Sequence, residues 1–548
     1  MNTFLQIHPK DNVLVALQDL PAGRQIDFNG TSIQLTHNVP AKHKFPFRPL
    51  HSGDPVLMYG VLVGKAVTDI APGEPITTKN LQHDADAFHE KDANLQWQAP
   101  DVSKWKNKTF NGFHRADGQV GTRNYWLVIP MVFCENRNVN VIKTAFEKGL
   151  GFAPPEVYNE QVNDLVDLYK SGNLEAIKSY QAAENKQAST RSSIFPNIDG
   201  VKFLIHEGGC GGTRQDSDAL CALLAGYIHH PNVAGATVLS LGCQHAQVSI
   251  LQESLKKLNP DFNKPVLVYE QQTSGSEFNM LSNAIRDTFL ALVEANKLER
   301  QPAPLSKITI GLECGGSDGF SGISANPAIG HTSDLLVALG GTTILSEFPE
   351  LCGVEQELIN RCEEEATAGK FISIMRAYEH QAQSVGSGFY MNPSPGNIKD
   401  GLITDAIKSA GAAKKGGTSP VRDVLDYTEY VTKPGLNLLC TPGNDVESTS
   451  AEVGSGANVV LFTTGLGTPT GNPIAPVVKL ATNTRLAQRM PDIIDIDTGS
   501  IISGQKTIAQ MGEEILDYVI KIASGEEITK AEILHQDDFI PWKRGVSL

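Results

Sequence analysis

The first eighty or so residues alternate apolar and polar positions in short segments, at 13–17, 32–36, 56–59 and 61–63, separated by turn sequences such as Pro21-Ala-Gly, Ser52-Gly-Asp-Pro and Pro72-Gly. That rhythm predicts a small all-β module over residues 1–82. From His83 to Asn111 no period is sustained, and the stretch exceeds the ~15 residues usual for a loop within a domain, so residues 83–111 read as a linker. Beyond it the pattern changes. Apolar, β-branched runs end in polar or glycine-rich loops, and segments with apolar positions at helical spacing follow them. The run 126–132 ends at Cys134. The run 201–205 ends in His206-Glu-Gly-Gly-Cys210 and precedes Leu220, Leu223, Leu224 and Tyr227. The run 237–241 ends in Gly242-Cys243-Gln244-His245 and precedes Leu251, Leu255 and Leu258.

The alternation continues to the C-terminus. The run 308–312 empties into a loop with Cys314, Gly315, Gly316, Asp318, Ser321 and Asn326, and the run 342–346 ends in Glu347 and Glu350. The runs 436–440 and 459–462 end in Thr441-Pro-Gly-Asn-Asp445 and Thr463-Thr-Gly-Leu-Gly-Thr-Pro-Thr-Gly471. This predicts an α/β protein with mainly parallel strands, a middle domain over 112–299 and a C-terminal domain over 300–548. In open α/β sheets ligands bind at the carboxyl ends of the strands, which is where these polar residues fall.

Composition narrows the function classes. The 548 residues are 41% hydrophobic and 20% charged, and no apolar run approaches the ~18 residues needed to cross a bilayer. The first residues show no apolar signal core, so a cytoplasmic protein without a membrane partner is expected. A net charge of −15, with no basic run longer than Lys414-Lys415, argues against nucleic acid. No GxGxxG or P-loop follows a strand, so no nucleotide cofactor is expected. Eight cysteines are too sparse for a disulfide framework and should be reduced thiols.

Cys134, Cys210, Cys243 and Cys314 sit beside glycines at strand ends, where a thiol serves as a soft metal ligand or a reactive group; a small buried hydrophobe is the alternative, and it suits Cys221, Cys352, Cys362 and Cys440. Asp318 is a hard ligand or a helix N-cap. Asn392 and Asn397 flank a proline-fixed turn suited to reading hydroxyls, or are simply turn residues. His43 lies between Lys42 and Lys44, which favours a neutral, basic imidazole. A polar, oxygen-rich substrate and metal-assisted proton abstraction beside a carboxylate fit this set, because such a proton is too weak an acid unless a cation and hydrogen-bond donors hold the developing enediolate.

In order along the chain, HPKDNVLVAL with AKHK and YGxxxGKA, RADGxVGTRN, GLECGGSDGFSGISANP, NPSPGN, PGND and TTGxGTPxG resemble the altronate dehydratase and galactarate dehydratase family over essentially the whole length. The resemblance implies a β-clip (SAF-type) first domain, a middle domain used for homodimerisation, a C-terminal Rossmann-like domain, and iron-dependent dehydration of a small sugar acid. The stretches 348–356 and 442–450 are more similar to the altronate branch. Carried over by position, it singles out His43, Lys44, Arg115, Gly118, Gly121, Asn124, Cys134, His206, Cys210, Cys243, Cys314, Asp318, Asn326, Glu347, Asn392 and Asn397. The expectation is Fe²⁺, mononuclear or in an iron–sulfur cluster and replaceable by Mn²⁺, held by some of Asp318, Glu347 and the strand-end thiols. His43 or His206 is the expected base, and Arg115 and Arg123 the expected carboxylate clamps. D-altronate would give 2-keto-3-deoxy-D-gluconate. Galactarate or another sugar acid is the alternative substrate, and a non-catalytic sugar-acid sensor the alternative of another class. The chain departs from the family pattern at Gly208, Gln244, Leu466 and Thr470.

Overall fold

Period-two alternation decides how the N-terminal module is seated. In the computed structural model, which describes residues 3–153, 157–182 and 193–547, the strand Val13–Ala16 is buried on both faces. Leu14 and Ala16 point into a small core of the module with Leu20, Ile26, Leu35 and Phe45. Val13 and Val15 point the other way, into a core that also holds Ile310, Leu312 and Phe348 of the C-terminal region. The module pairs Val13–Ala16 with Phe4–Leu5 and Lys44–Pro46, and carries a second antiparallel sheet of Pro55–Met58, Val61–Ala66 and Leu81–Gln82. Alternate residues of this strand thus pack against the C-terminal region.

The aperiodic stretch 83–111 is an ordered strap rather than a free linker. Trp105 is 1% exposed and donates Nε1–H to Asp517 at 2.8 Å. The His89 amide donates to Gln356, and the Lys91 ammonium to the Cys362 carbonyl. The strap ends in the strand Thr109–His114, which pairs antiparallel with Gln301–Pro304.

The middle region is built on β1 (Tyr125–Pro130), β2 (Gly200–Phe203), β3 (Val233–Ser240) and β4 (Val266–Glu270), all parallel in the order β2-β1-β3-β4. One face packs Trp126, Val128 and Leu239 against α1 (Asn136–Leu150) and a later helix, Glu277–Ala295. On the other, Leu127 and Ile129 meet α2 (Arg214–His229) and α3 (Val248–Leu258).

The C-terminal region holds a seven-stranded, fully parallel sheet. Its strands are β5 (Thr309–Cys314), β6 (Thr342–Leu345), β7 (Val421–Leu425), β8 (Gly435–Leu439), β9 (Val459–Thr464), β10 (Val477–Ala481) and β11 (Ile496–Asp497), in the order β7-β8-β6-β5-β9-β10-β11. From β5 the chain winds first through β6 towards one edge, then returns through β9 on the other side. The carboxyl ends of β5, β6 and β9 therefore form the switch point at which such sheets bind ligands. Helix α4 (Ala325–Ala338) follows β5, α5 (Asp405–Ala412) precedes β7, and α6 (Asp445–Gly454) follows β8. The strap is clamped on a last long helix, Ile508–Ser524. Among the described residues no helix is long and apolar enough to cross a membrane.

If the strap is part of the core, Trp105→Ala should cost about 3–5 kcal/mol, as large-to-small changes in packed interiors do. Leu95→Ala, at a position 55% exposed, should stay within about 0.5 kcal/mol. Urea unfolding midpoints of the two variants check this; equal midpoints would make the strap a surface linker.

Candidate active site

Cys314 is the last residue of β5, and Glu347 lies two residues beyond β6. Glu347 adopts φ 65° and ψ 60°, a left-handed conformation that costs a non-glycine residue on the order of 1–3 kcal/mol and that clusters at functional sites. Glu350 follows in the short 3-10 turn Phe348–Leu351. Cys314 Sγ is 3.4 Å from an oxygen of each glutamate. Among the described residues these three form the group whose ligand atoms lie within 4.8 Å of one another. Lys415 Nζ reaches in to 2.5 Å from Glu347 and 3.0 Å from the sulfur. Lys408 Nζ lies 2.5 Å from Glu350 and 2.6 Å from the Asn392 side-chain oxygen. Asp445, at the start of α6, stands so close to Gly315 that a Cβ there would collide with its carboxylate. Deeper still, Glu313 accepts from Ser346 and Ser448, and Glu452 from Ser346 and the Leu312 amide. Cys314, Glu347, Glu350 and Lys415 form a buried floor, while Asn392, Lys408 and Asp445 are only half-buried.

Charge in this pocket does not balance. Glu313, Glu347, Glu350, Asp445 and Glu452 are set against Lys408 and Lys415. Burial, then Glu347, pushes the Cys314 thiol well up; burial and Glu350 push Glu347 up. Asp445 is raised to about 7 by burial and by Glu347 and Glu350. For Glu350 burial is outweighed by Lys408 and Lys415, and its carboxyl is lowered. For Lys415 burial is outweighed by Cys314 and Glu347, so it keeps its proton. One oxygen of Glu452 is buried without a partner, while the Glu313 and Glu347 side chains are hydrogen-bonded to each other, Glu313 being pushed well up by burial and by Glu347 so that it holds the shared proton. A surplus of buried acceptors is what a cation relieves. One thiol and two carboxylates suit a divalent transition metal such as Fe²⁺ or Mn²⁺, so the residues present fit the expected metal.

The same loop anchors the N-terminal module. Lys42 Nζ lies 2.9 Å from Asp318 and 2.8 Å from Asp400. Asp318 also accepts from the Phe320 amide, Ser321 Oγ and Thr482 Oγ1. It is neither placed as a metal ligand nor a helix cap, since α4 starts at Ala325; it closes a turn and holds Lys42. Buried Lys44 donates to the Gly401 carbonyl at 2.6 Å, and burial lowers its ammonium to about 7. Half-buried His43 donates Nδ1–H to Ala41 O at 3.2 Å, and among the described residues its Nε2 has no hydrogen-bond partner. Its pKa is lowered, first by burial and then by Lys44 and Lys42. Asn397 donates to Ser317 O and accepts from the amide of Ser394, the N-cap of the short helix Pro395–Lys399; Asn326 bridges Gly411 O and Thr463 Oγ1.

Other expected site residues are elsewhere. Arg123 and Asn124 directly precede β1, at the amino ends of the strands and opposite the ligand-binding edge. Arg123 is 3% exposed and paired with Glu532 at 2.6 Å. Arg115 donates to Pro231 O and to Asn124 Oδ1, and Asn124 donates to Asn197 O. The structure places Arg115, Arg123 and Asn124, expected to bind substrate, away from the acidic pocket, with hydrogen bonds that join segments of the chain. His206 is 4% exposed, with Nε2–H donated to Pro130 O at 2.7 Å and Nδ1 accepting from the Gly208 amide at 3.1 Å. Burial lowers it to about 4. Both nitrogens are engaged, and the ring braces these two segments. Cys134, Cys210 and Cys243 are exposed at the carboxyl edge of the middle sheet, so the expected metal set divides into two places. Lys408, Lys415 and Glu452 were not singled out from sequence. Their one signal is a charge set among small apolar residues, as in Ala412-Ala413-Lys414-Lys415-Gly416.

The chain matches three family descriptions in tandem: "Altronate/galactarate dehydratase SAF domain" over residues 2–84, "D-galactarate dehydratase/Altronate hydrolase, second domain" over 112–296, and "D-galactarate/Altronate dehydratase, C-terminal" over 305–547. It is 34% identical to an altronate dehydratase of Escherichia coli (strain K12) over 534 residues, covering 96% of each chain. It is 33% identical to an altronate dehydratase of Bacillus subtilis (strain 168) over 526 residues, again 96% of each. To the galactarate dehydratase (L-threo-forming) of E. coli K12 it is 29% identical over 535 residues, 96% of this chain and 94% of that one.

Lys44 gives a test of the seam between module and sheet. Its folded pKa of about 7 lies below the 10.5 of a free lysine. The unfolded chain therefore binds more protons between those values, and stability rises with pH across that window. Lys44→Met removes the buried-charge cost. Its stability relative to wild type should be better at pH 6 than at pH 9 by on the order of 2 kcal/mol, read from denaturant midpoints with chelator present. A difference independent of pH would contradict the buried ammonium.

Proposed function

The chain belongs to the altronate/galactarate dehydratase family of hydro-lyases, and on that premise we propose that it dehydrates D-altronate to 2-keto-3-deoxy-D-gluconate with the help of a divalent metal. The observation that carries this reading is the buried Cys314–Glu347–Glu350 set, whose ligand atoms lie within 4.8 Å of one another. Two relatives named altronate dehydratase, at 33–34% identity against 29% for the galactarate enzyme, favour the altronate assignment.

The chemistry follows from the acids and bases present. Cys314, Glu347 and Glu350 would hold Fe²⁺, with Mn²⁺ a possible substitute, and the ion when bound supplies a Lewis acid for the substrate carboxylate. Lys408 and Lys415 add fixed positive charge where the enediolate develops. Asn392 reads a hydroxyl at the rim. His43, neutral near pH 7 and with Nε2 unpartnered, takes the C2 proton. The C2–H electron pair becomes the C2–C3 double bond, and the C3 hydroxyl departs as water with a proton from Asp445, whose pKa of about 7 keeps it partly protonated. The enol then tautomerises to the 2-keto acid. A sugar-acid sensor would not need groups so placed.

Anaerobic turnover of a sugar-acid panel tests this reading. D-altronate should be turned over fastest, chelation should abolish activity, and Fe²⁺ or Mn²⁺ should restore it. Glu347→Gln should lose metal and at least about 10²-fold in kcat, by analogy with single catalytic electrostatic groups. Full activity after exhaustive chelation would contradict the metal; preference for galactarate would move the substrate within the family.

His43→Gln should lower kcat by about 10²–10⁴-fold with metal content unchanged, the range for a general base. A wild-type rate in that variant, measured at saturating substrate, would move the base elsewhere.

A further inference from the structure

Three of the cysteines outside this site, Cys134, Cys210 and Cys243, stand on loops that are bonded to one another. Strand β1 lies between β2 and β3, with Val128 opposite Phe203 and Pro130 opposite Leu239. Cys134 and Cys243 each fall four residues beyond that last matched pair, on adjacent strands ~4.8 Å apart. Cys210 follows β2, on the other side of β1. Their loops are bonded together: the Phe133 amide donates to Gly208 O at 3.1 Å, the His245 amide to Cys210 O at 3.2 Å, and the Ala246 amide to Gly209 O at 3.1 Å. Gly209, at φ 93°, lies so close to the Met131 carbonyl that a Cβ would overlap it. Only glycine lets the Cys210 loop press against the Cys134 loop. His206 ties the same two segments through Pro130 O and the Gly208 amide. Gln244 is pinned by the Gly242 amide, Ser240 Oγ and Ala246 O.

Three loops are thus fixed in place, and each presents an exposed thiol, whereas Cys221, Cys362 and Cys440 are buried. The three sulfurs are not all within 4.8 Å of one another, since the group that meets that spacing is the Cys314 set. A single tetrahedral ion with metal–sulfur bonds of about 2.3 Å needs thiolates closer than that. Iron–sulfur clusters spread their thiolates over several irons and take wider sets. A cavity of about 260 Å³ lined by Phe203, Ile205, Val446 and Phe539 runs from the neighbour of His206 to the neighbour of Asp445.

We propose that Cys134, Cys210 and Cys243 hold an iron–sulfur cluster at the carboxyl edge of the middle sheet, a centre separate from Cys314 and with one iron lacking a protein thiolate. The proposal stands apart from the substrate assignment and is read without turnover. The full chain, purified without oxygen and reconstituted with ferrous iron and sulfide, should carry acid-labile sulfide and a band near ~400 nm. Cys134→Ser, Cys210→Ser and Cys243→Ser should each lose both, while Cys314→Ser keeps both. Because a serine variant could misfold, the wild type gives a second reading: the three thiols should resist iodoacetamide when loaded and react after the cluster is stripped, as mapped by peptide mass spectrometry. Absence of sulfide after reconstitution, zinc in its place, sulfide retained in the triple serine variant, or alkylation indifferent to loading would each overturn it.

Discussion

The contact of Lys415 with Glu347 and Cys314 is the interaction on which the arrangement of the C-terminal sheet turns. An ammonium that is 1% exposed is costly to bury, and the neighbouring anions are what offset that cost. They can meet it only because β5 and β6 are adjacent and parallel, so that Cys314 and Glu347 leave the sheet side by side. The segments before β7 bring in Lys408 and Lys415, and α6 brings in Asp445 and Glu452. Even so the carboxyls outnumber the lysines, and Glu347 is held in a strained backbone conformation. Such an imbalance and such strain in a sheet interior work against stability, and features of this kind cluster at functional sites.

The second constraint is the seam with the N-terminal module. Strand Val13–Ala16 divides its residues between two cores, and Lys42 reaches across to Asp318 and Asp400. Together these fix the loop that carries His43. Shared packing, the Lys42 ion pairs and the buried Lys44 dock the module rigidly on the C-terminal region. Burial is the largest of the effects that lower the His43 pKa, ahead of Lys44 and of Lys42.

Much of this was legible in the residues. The strand runs, their carboxyl-end cysteines and Glu347 follow from periodicity and turn chemistry, because both strands and loops leave local signals. What failed to show was long-range. Asp318 in a glycine-rich loop looks the same in sequence whether it meets a metal or Lys42, far away in the chain. The RADGxVGTRN stretch is dense in polar groups, but nothing in its pattern says that it precedes β1 and so lies at the amino edge. His206 reads as a free imidazole until Pro130 O and the Gly208 amide are found on its two nitrogens. Trp105 lies in a segment without period, and only the helix that it packs against makes that segment part of the core.

The most direct measurement of the central claim is anomalous diffraction at the iron edge from crystals grown anaerobically with Fe²⁺. The account predicts a peak within metal-bonding distance of Cys314 Sγ, Glu347 and Glu350, with Lys415 displaced from Glu347 or sharing it. A map with no peak in that pocket, and Lys415 still seated between Glu347 and Cys314, would make the array an internal ion-pair network and contradict the account.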